Sequence, residues 1–261
     1  MKDFIIPVDF SETSLNAARY AASMLSGKAD SRVILYNMFK DEEEAATATQ
    51  YLESLKAEFE QKGVSNLEIV IELGTDLIDN LGRLAYQKTA ELIIMGVSEK
   101  DEWHQLFTGS KSVTMAEQNV CPVMIIPQMA KYNGITSVAL TSDFKDVEGK
   151  TPELAIKTVL EIFNPKLHIV NVDNEHYVSL TEEYLTERGK MQKMFAAFNP
   201  EFSFIGMNDF YEAIEQFSID NNIDLIIVIP KNHSFVTSIF SANHTKKLVL
   251  RSSVPILAAH Q

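Results

Sequence analysis

Short apolar runs alternate with amphipathic stretches along most of the chain. Residues 3–8 form a β-rich run that ends in Asp9-Phe10-Ser11, and Ser11 followed by Glu12 suits the start of a helix over 13–25, which stops near Gly27. Residues 32–38 read as a second strand. A helix is predicted over 42–61, where Leu52, Leu55 and Phe59 recur at spacings of three and four, and Gly63 ends it. A third strand over 67–73 and a third helix over 76–88 follow. An apolar run over 92–95 then stops at Gly96. After a polar loop, Gly109-Ser110 opens a further helical segment, and 121–126 is apolar again. Strands that alternate with helices in this way predict an α/β fold with a parallel sheet covered on both faces.

The second half repeats this order. Residues 137–141 lead into Ser142-Asp143-Phe144 as 3–8 lead into Asp9-Phe10-Ser11, and Thr151-Pro152-Glu153 offers a cap, a first-turn proline and an acidic residue for the next helix. Strands are expected over 166–172 and 201–205, and helices over 182–198 and 209–221. Residues 224–228 echo 91–95, and 253–257 repeat 120–124. The chain reads as a tandem duplication, with domains at 1–130 and 131–261 and a linker near 128–134.

The stretch from Gly96 to Ser112 carries the chemistry. A backbone that approaches a phosphate needs residues without a Cβ, and a helix start offers unpaired N–H groups. These residues resemble the universal stress protein family, whose nucleotide-binding members carry Gly, two residues, Gly, nine residues and Gly-Ser or Gly-Thr. A helix and a strand beginning Cys-Pro-Val follow in that family. Gly96 and Gly109-Ser110 stand at the first and last places, and Cys121-Pro122-Val123 follows; the middle glycine is Glu99. A carboxylate there brings like charge to where phosphates would sit. The resemblance implies two tandem Rossmann-like domains, each a five-stranded sheet of order 3-2-1-4-5, with a crevice between the strands ending at Val8 and Met95. It also implies adenine and ribose contacts from Pro7, Val8 and Asp9, and phosphate contacts from Gly96, Gly109, Ser110 and Ser112. The ligand would be ATP, ADP or AMP with Mg²⁺.

Each of these residues has a plainer reading. Asp9 and Asp143 would cap the helices after their strands, Gly96 would make a tight turn, and Gly109-Ser110 would start a helix. In the second half Gly96, Glu99, Gly109-Ser110 and Ser112 become Ile229, Asn232, Ala242-Asn243 and Thr245, so the glycines are gone and a nucleotide site is not expected there.

Composition narrows the classes. The 261 residues are 46% hydrophobic and 23% charged, as in an ordinary globular protein. The net charge of −13, with both halves acidic, argues against a nucleic-acid or anionic-membrane partner. No apolar run suits a membrane span, and the N-terminus lacks a signal core, so a cytoplasmic protein is expected. The single cysteine, Cys121, at the start of an apolar strand, is expected to be buried and inert. His233, His244 and His260 stand at irregular spacing, which argues against a metal site. No nucleophile elbow, Walker lysine or His-Glu metal motif is present, so the chain reads as a non-enzyme. The function that follows is a regulatory binding protein of the stress response; an interaction scaffold or a slow ATPase is the alternative. The family's dimer through the last strand implies an internal pseudo-dimer of the two domains, and a homodimer is compatible with it.

Overall fold

The computed structural model describes residues 1–97, 111–118, 120–173, 181–229, 237–238, 240–241 and 252–259. The chain folds as two compact units, Met1–Asn133 and Gly134–Gln261.

In the first unit the elements run β1 (Lys2–Pro7), α1 (Glu12–Met24), β2 (Ser31–Phe39), α2 (Glu42–Gln61), β3 (Leu67–Leu73), α3 (Leu77–Lys88), β4 (Leu92–Val97), α4 (Lys111–Glu117) and β5 (Val123–Pro127). All pair in parallel in the order β3-β2-β1-β4-β5. The central strands are buried on both faces, which is why their sequences are continuous apolar runs: Phe4, Ile5, Ile6, Ile93 and Ile94 are all fully buried. Helix α1 faces the sheet with Ala17, Ala18, Ala21 and Ala22, whose small side chains let it sit close to β4 and β5. Helix α2 buries Ala48, Leu52, Leu55 and Phe59, the stripe that its spacing predicts. Asp76 caps α3 by accepting from the amides of Ile78 and Asp79 at 3.0 and 3.1 Å.

The second unit runs β6 (Ser137–Thr141), α5 (Val147–Lys150), α6 (Glu153–Phe163), β7 (Lys166–Val172), α7 (Glu182–Met194), β8 (Glu201–Ile205), α8 (Phe210–Asp220), β9 (Leu225–Val228), β10 (Thr237–Ser238), β11 (Phe240–Ser241) and β12 (Ile256–Ala258). A single 3₁₀ turn, Ala196–Phe198, follows α7, so the helix expected over 182–198 ends sooner than its sequence suggests. Strands β10 and β11 form a two-residue antiparallel pair; the others are parallel in the order β12-β9-β6-β7-β8.

The two units share more than strand order. Val8 N donates to Tyr36 O at 2.8 Å and Ser142 N to Val170 O at 3.0 Å. Glu91 N bonds Asp3 O as Asp224 N bonds Ser137 O, both at 2.8 Å, and Ile93 N bonds Pro122 O as Ile226 N bonds Pro255 O, both at 3.0 Å. In each unit a buried asparagine at the end of the second strand fastens the first: Asn37 Nδ2 donates to Val8 O at 2.7 Å, and Asn171 Nδ2 to Ser142 O at 2.9 Å. Phe10 and Phe144 both take the left-handed backbone conformation, at φ 62° and 50°, which is uncommon for a bulky residue.

Three local expectations are corrected. The apolar run does not stop at Gly96: β4 continues through Val97, with Gly96 paired to Ile126, because the parallel pairing to β5 outlasts the apolar side chains. Thr151 does not cap a helix with its side chain. Its amide bonds Val147 O at 3.0 Å and closes the short α5, and α6 starts after Pro152 with no side-chain cap bond. Asp9 is not the cap of α1 either, as the site shows.

Candidate functional site

Strand order reverses direction between β1 and β4, since β1 is followed in space by β2 on one side and by β4 on the other. Connections leave the carboxyl ends of the two strands toward opposite faces and open a crevice there. A cavity of about 640 Å³ occupies that place, lined among others by Pro7, Val8 and Asp9 from β1 and its exit, Met95 and Gly96 from β4, and Lys111 and Ser112 from α4. Tyr36, Asn37, Met38 and Lys40 at the end of β2 line its other side, with Glu44 of α2 and Leu77 of α3. The volume falls in the range of about 300–1,000 Å³ usual for small-molecule sites.

Each wall has a local cause. The cap of α1 is Ser11, whose Oγ accepts from Ser14 N at 3.2 Å. Asp9 braces the turn before it: Asp9 Oδ1 accepts from Ser11 N at 3.1 Å and from Ser11 Oγ at 2.6 Å. Burial alone raises the Asp9 carboxyl, but hydrogen bonds from Ser11 and Ser14 and the charge of Lys111 outweigh it and hold the group below its ordinary value. Asp9 is therefore a fixed carboxylate with one oxygen already engaged. Ser112 is buried, and its Oγ donates to Gly96 O at 2.7 Å, which ties the start of α4 to the end of β4. Its hydroxyl proton is thus committed within the protein.

Gly96 has a structural reason that the sequence did not reveal. Its φ is not in the left-handed region, so no turn demands glycine. A Cβ placed there would lie 2.5 Å from Thr13 O and 2.8 Å from Thr13 Cγ2. Helix α1 presses its first turn onto β4 at this point, and only a residue without a side chain fits.

Of the seven residues proposed from the sequence, Pro7, Val8, Asp9, Gly96 and Ser112 line this one cavity. Gly109 and Ser110 lie outside the described residues, as do Glu99, Asn232, the 242–245 counterpart, and His233, His244 and His260. Sequence reasoning missed the β2 side of the cavity, and Lys111. A signal was present for Asn37: a polar residue inside an apolar strand, repeated at Asn171, is conspicuous. Tyr36 hydroxyl donates to Glu72 Oε2 at 3.0 Å, and Glu72 in turn meets Arg83 at 2.8 Å, so this wall is braced from behind. Cys121 is buried, and burial pushes its thiol up to about 12, which keeps it protonated and unreactive. Among the described residues no group of three His, Cys, Asp or Glu is placed to hold a metal ion. Among them, too, no helix is long and apolar enough to cross a membrane.

The model of the universal stress protein family matches residues 1–127. Through its first half the chain belongs to that family. Over its whole length the chain is similar to a universal stress protein from Archaeoglobus fulgidus, with 18% identity, 99% of this chain and 98% of that one covered, and a TM-score of 0.73. A putative universal stress protein from Pseudomonas aeruginosa is 11% identical over 100% of this chain and 93% of its own, at a TM-score of 0.68. At such identities the likeness establishes the α/β fold of the family and nothing about a ligand. A universal stress protein in complex with cAMP is 18% identical over 48% of this chain at a TM-score of 0.41, too distant a likeness to decide what the cavity holds. No curated protein matches the chain.

Proposed function

We infer that the first half is a regulatory binding module for an adenine nucleotide, and that the second half keeps the universal stress protein frame without such a site. The observation that carries this reading is the cavity of about 640 Å³ at the β1–β4 reversal, with Asp9, Gly96 and Ser112 on its walls. Its size suits a nucleotide, and its position is where open parallel sheets bind them. Asp9, a carboxylate at neutral pH, accepts hydroxyl hydrogen bonds of the kind a ribose offers. In the second half the position of Gly96 is Ile229, whose side chain narrows close approach. The role in the stress response is signalling through nucleotide level; binding rather than turnover is the expected chemistry.

Thermal unfolding with AMP, ADP and ATP, each with and without Mg²⁺, tests the reading. At a hundredfold excess over Kd, binding adds about 2.7 kcal/mol to stability. The wild-type chain is expected to gain stability, and Leu77→Trp, which fills the cavity mouth from α3, to lose the gain. Glu99→Gly is expected to strengthen it by removing a like charge. No stabilisation at millimolar nucleotide in either the wild type or Glu99→Gly would overturn the reading in favour of an interaction scaffold. Phosphate release in the same samples distinguishes a slow ATPase.

A further inference from the structure

A second cavity, of about 280 Å³, lies wholly within the second unit, where α8 meets the amino ends of β9 and β12. Ile219 of α8, Ile226 of β9 and Val254 give it apolar walls, and the exposed Ser253 lies beside them. Ile219 is 66% exposed, so a large apolar side chain stands uncovered there. Glu215 is the one charged side chain among the described residues that line the cavity. One turn earlier on α8 the buried Tyr211 fixes that carboxylate, its hydroxyl donating to Glu215 Oε1 at 3.0 Å. Glu215 Oε2 has no partner among the described residues.

The first half treats the matching corner differently. The two halves keep step here: Ile93 N bonds Pro122 O as Ile226 N bonds Pro255 O, and Ala90 N bonds Ala85 O as Ile223 N bonds Ser218 O, both at 2.9 Å. By that step Glu215 matches Gly82 and Ser253 matches Val120. A Cβ at Gly82 would already touch Val120 Cγ2, at 3.6 Å, so helix and turn meet directly in the first half. In the second half the valine is reduced to serine and the glycine is enlarged to glutamate. Space and a carboxylate appear at the same place.

We propose that this cavity binds a small primary amine with an apolar body, its ammonium group on Glu215 and its carbon skeleton along Ile219 and Val254. The site is independent of the nucleotide reading above. An anion would meet the like charge of Glu215. A wholly apolar molecule would strip water from the carboxylate without compensation. An ammonium group instead gives Oε2 a charge-assisted hydrogen bond, and the net charge of −13 draws cations toward the chain. The volume lies just under the range of about 300–1,000 Å³ usual for small-molecule sites, which suits a molecule smaller than a nucleotide.

Ligand-detected NMR titration with phenethylamine, protonated at neutral pH, and with its neutral analogue phenethyl alcohol tests this. The wild type is expected to bind the amine with a Kd on the order of 1 mM and the alcohol about fivefold more weakly, the upper range for an ion pair at a protein surface. Glu215→Gln still accepts from Tyr211 but carries no charge, and is expected to bring the amine down to the alcohol while leaving the alcohol within twofold. Ser253→Val, which restores the first-half residue, is expected to weaken both by occupying the space. Glu212→Gln removes the same charge from the same helix outside the cavity and is expected to change neither. Glu212, Glu215 and Ser253 are exposed, so all three variants are expected to unfold at the wild-type temperature. If amine and alcohol bind the wild type alike, or Glu212→Gln weakens the amine as much as Glu215→Gln, the carboxylate does not select the ligand and the proposal falls. Absence of binding of either molecule at millimolar concentration overturns it as well, and the first-half nucleotide site is untouched by that result.

Discussion

The two halves build the same strand ends and treat the helix above them differently. In the first, α1 is unbroken and its first turn rests on Gly96, with Thr13 O where a Cβ would be. In the second, the corresponding strand end carries Ile229, and the helix is split into α5 and α6 around Thr151 and Pro152. A β-branched side chain needs room that a close-packed helix turn does not leave, and a proline removes the amide that would continue the helix. The short α5 is fastened in another way: Val147 N donates to Glu187 Oε2 at 2.7 Å, and Glu187 in turn meets Lys190 at 2.7 Å. Phe144 packs against Tyr184, Phe202 and Phe204, with ring centroids 5.2 to 6.0 Å away. In the first half Phe10 packs against Tyr51, with ring centroids 5.3 Å apart. One duplicated frame thus supports an open polar crevice in one copy and an aromatic cluster in the other. Close approach of helix to strand, more than strand order, separates them.

The comparison breaks most sharply at Gly96. Gly96→Val places carbon atoms into the backbone of Thr13, which cannot yield without moving α1, so a loss of more than about 3 kcal/mol in the first unit is expected. Ile229→Ala, at the matching place, is expected to cost below about 2 kcal/mol, since Ile229 is only half-buried. Urea unfolding followed by hydrogen exchange in β1 and β4 reads both. Equal and small losses would mean that Gly96 is kept for a ligand and not for packing.

The asparagine pair tests what the halves share. Asn37→Leu and Asn171→Leu each leave a strand-end carbonyl, Val8 O or Ser142 O, without its side-chain donor. A loss of about 1–3 kcal/mol is expected in both units. Only Asn37→Leu is also expected to weaken nucleotide binding, because Val8 lines the cavity. A loss of stability confined to one unit would show that the repeated bond is not a shared support.

Much of this was legible in the chain. The strands of both halves announce themselves as apolar runs between turn residues, and the repetition of 91–95 in 224–228 reveals the duplication without any structure. Helix α2 could be read to the residue, because Leu52, Leu55 and Phe59 keep helical spacing and Gly63 follows. The packing constraint on Gly96 could not be read. A glycine after an apolar run has the local signature of a turn, whereas the contact that leaves no room for a Cβ comes from Thr13, far away in sequence. The short α5 was equally hidden: four residues including Gly149 carry no periodicity, and the carboxylate that holds it comes from α7. The cavity's Lys111 escaped notice because a lysine opening a helix segment reads as a solvated surface group until the fold turns it toward Asp9. Local chemistry sets elements; the site depends on which elements approach.

The smallest expected effect lies at a third difference. Position 168 in β7 matches the buried Ile34 of β2, yet holds a histidine that is 2% exposed. Its Nδ1 lies 3.7 Å from Glu201 Oε2, and its Nε2 has no hydrogen-bond partner among the described residues. Burial lowers the His168 pKa and Lys166 adds to that, while Glu201 opposes it without prevailing. The unfolded chain then binds the proton more readily than the folded one, so stability is full above the unfolded value of about 6.5 and is lost as pH falls through it. One group contributes at most about 1.4 kcal/mol per pH unit. The lowered carboxylates, Asp9, Glu58, Glu187 and Glu201, act in the acid range below this window. Urea midpoints between pH 7.5 and 5.5 are therefore expected to fall for the wild type and to flatten for His168→Ile, which restores the residue type of the first half. At pH 7.5 the variant is expected to be at least as stable, since it removes a buried nitrogen without a partner. An unchanged slope in His168→Ile would place the titrating group elsewhere and leave the histidine as a neutral filler of the same space that Ile34 fills.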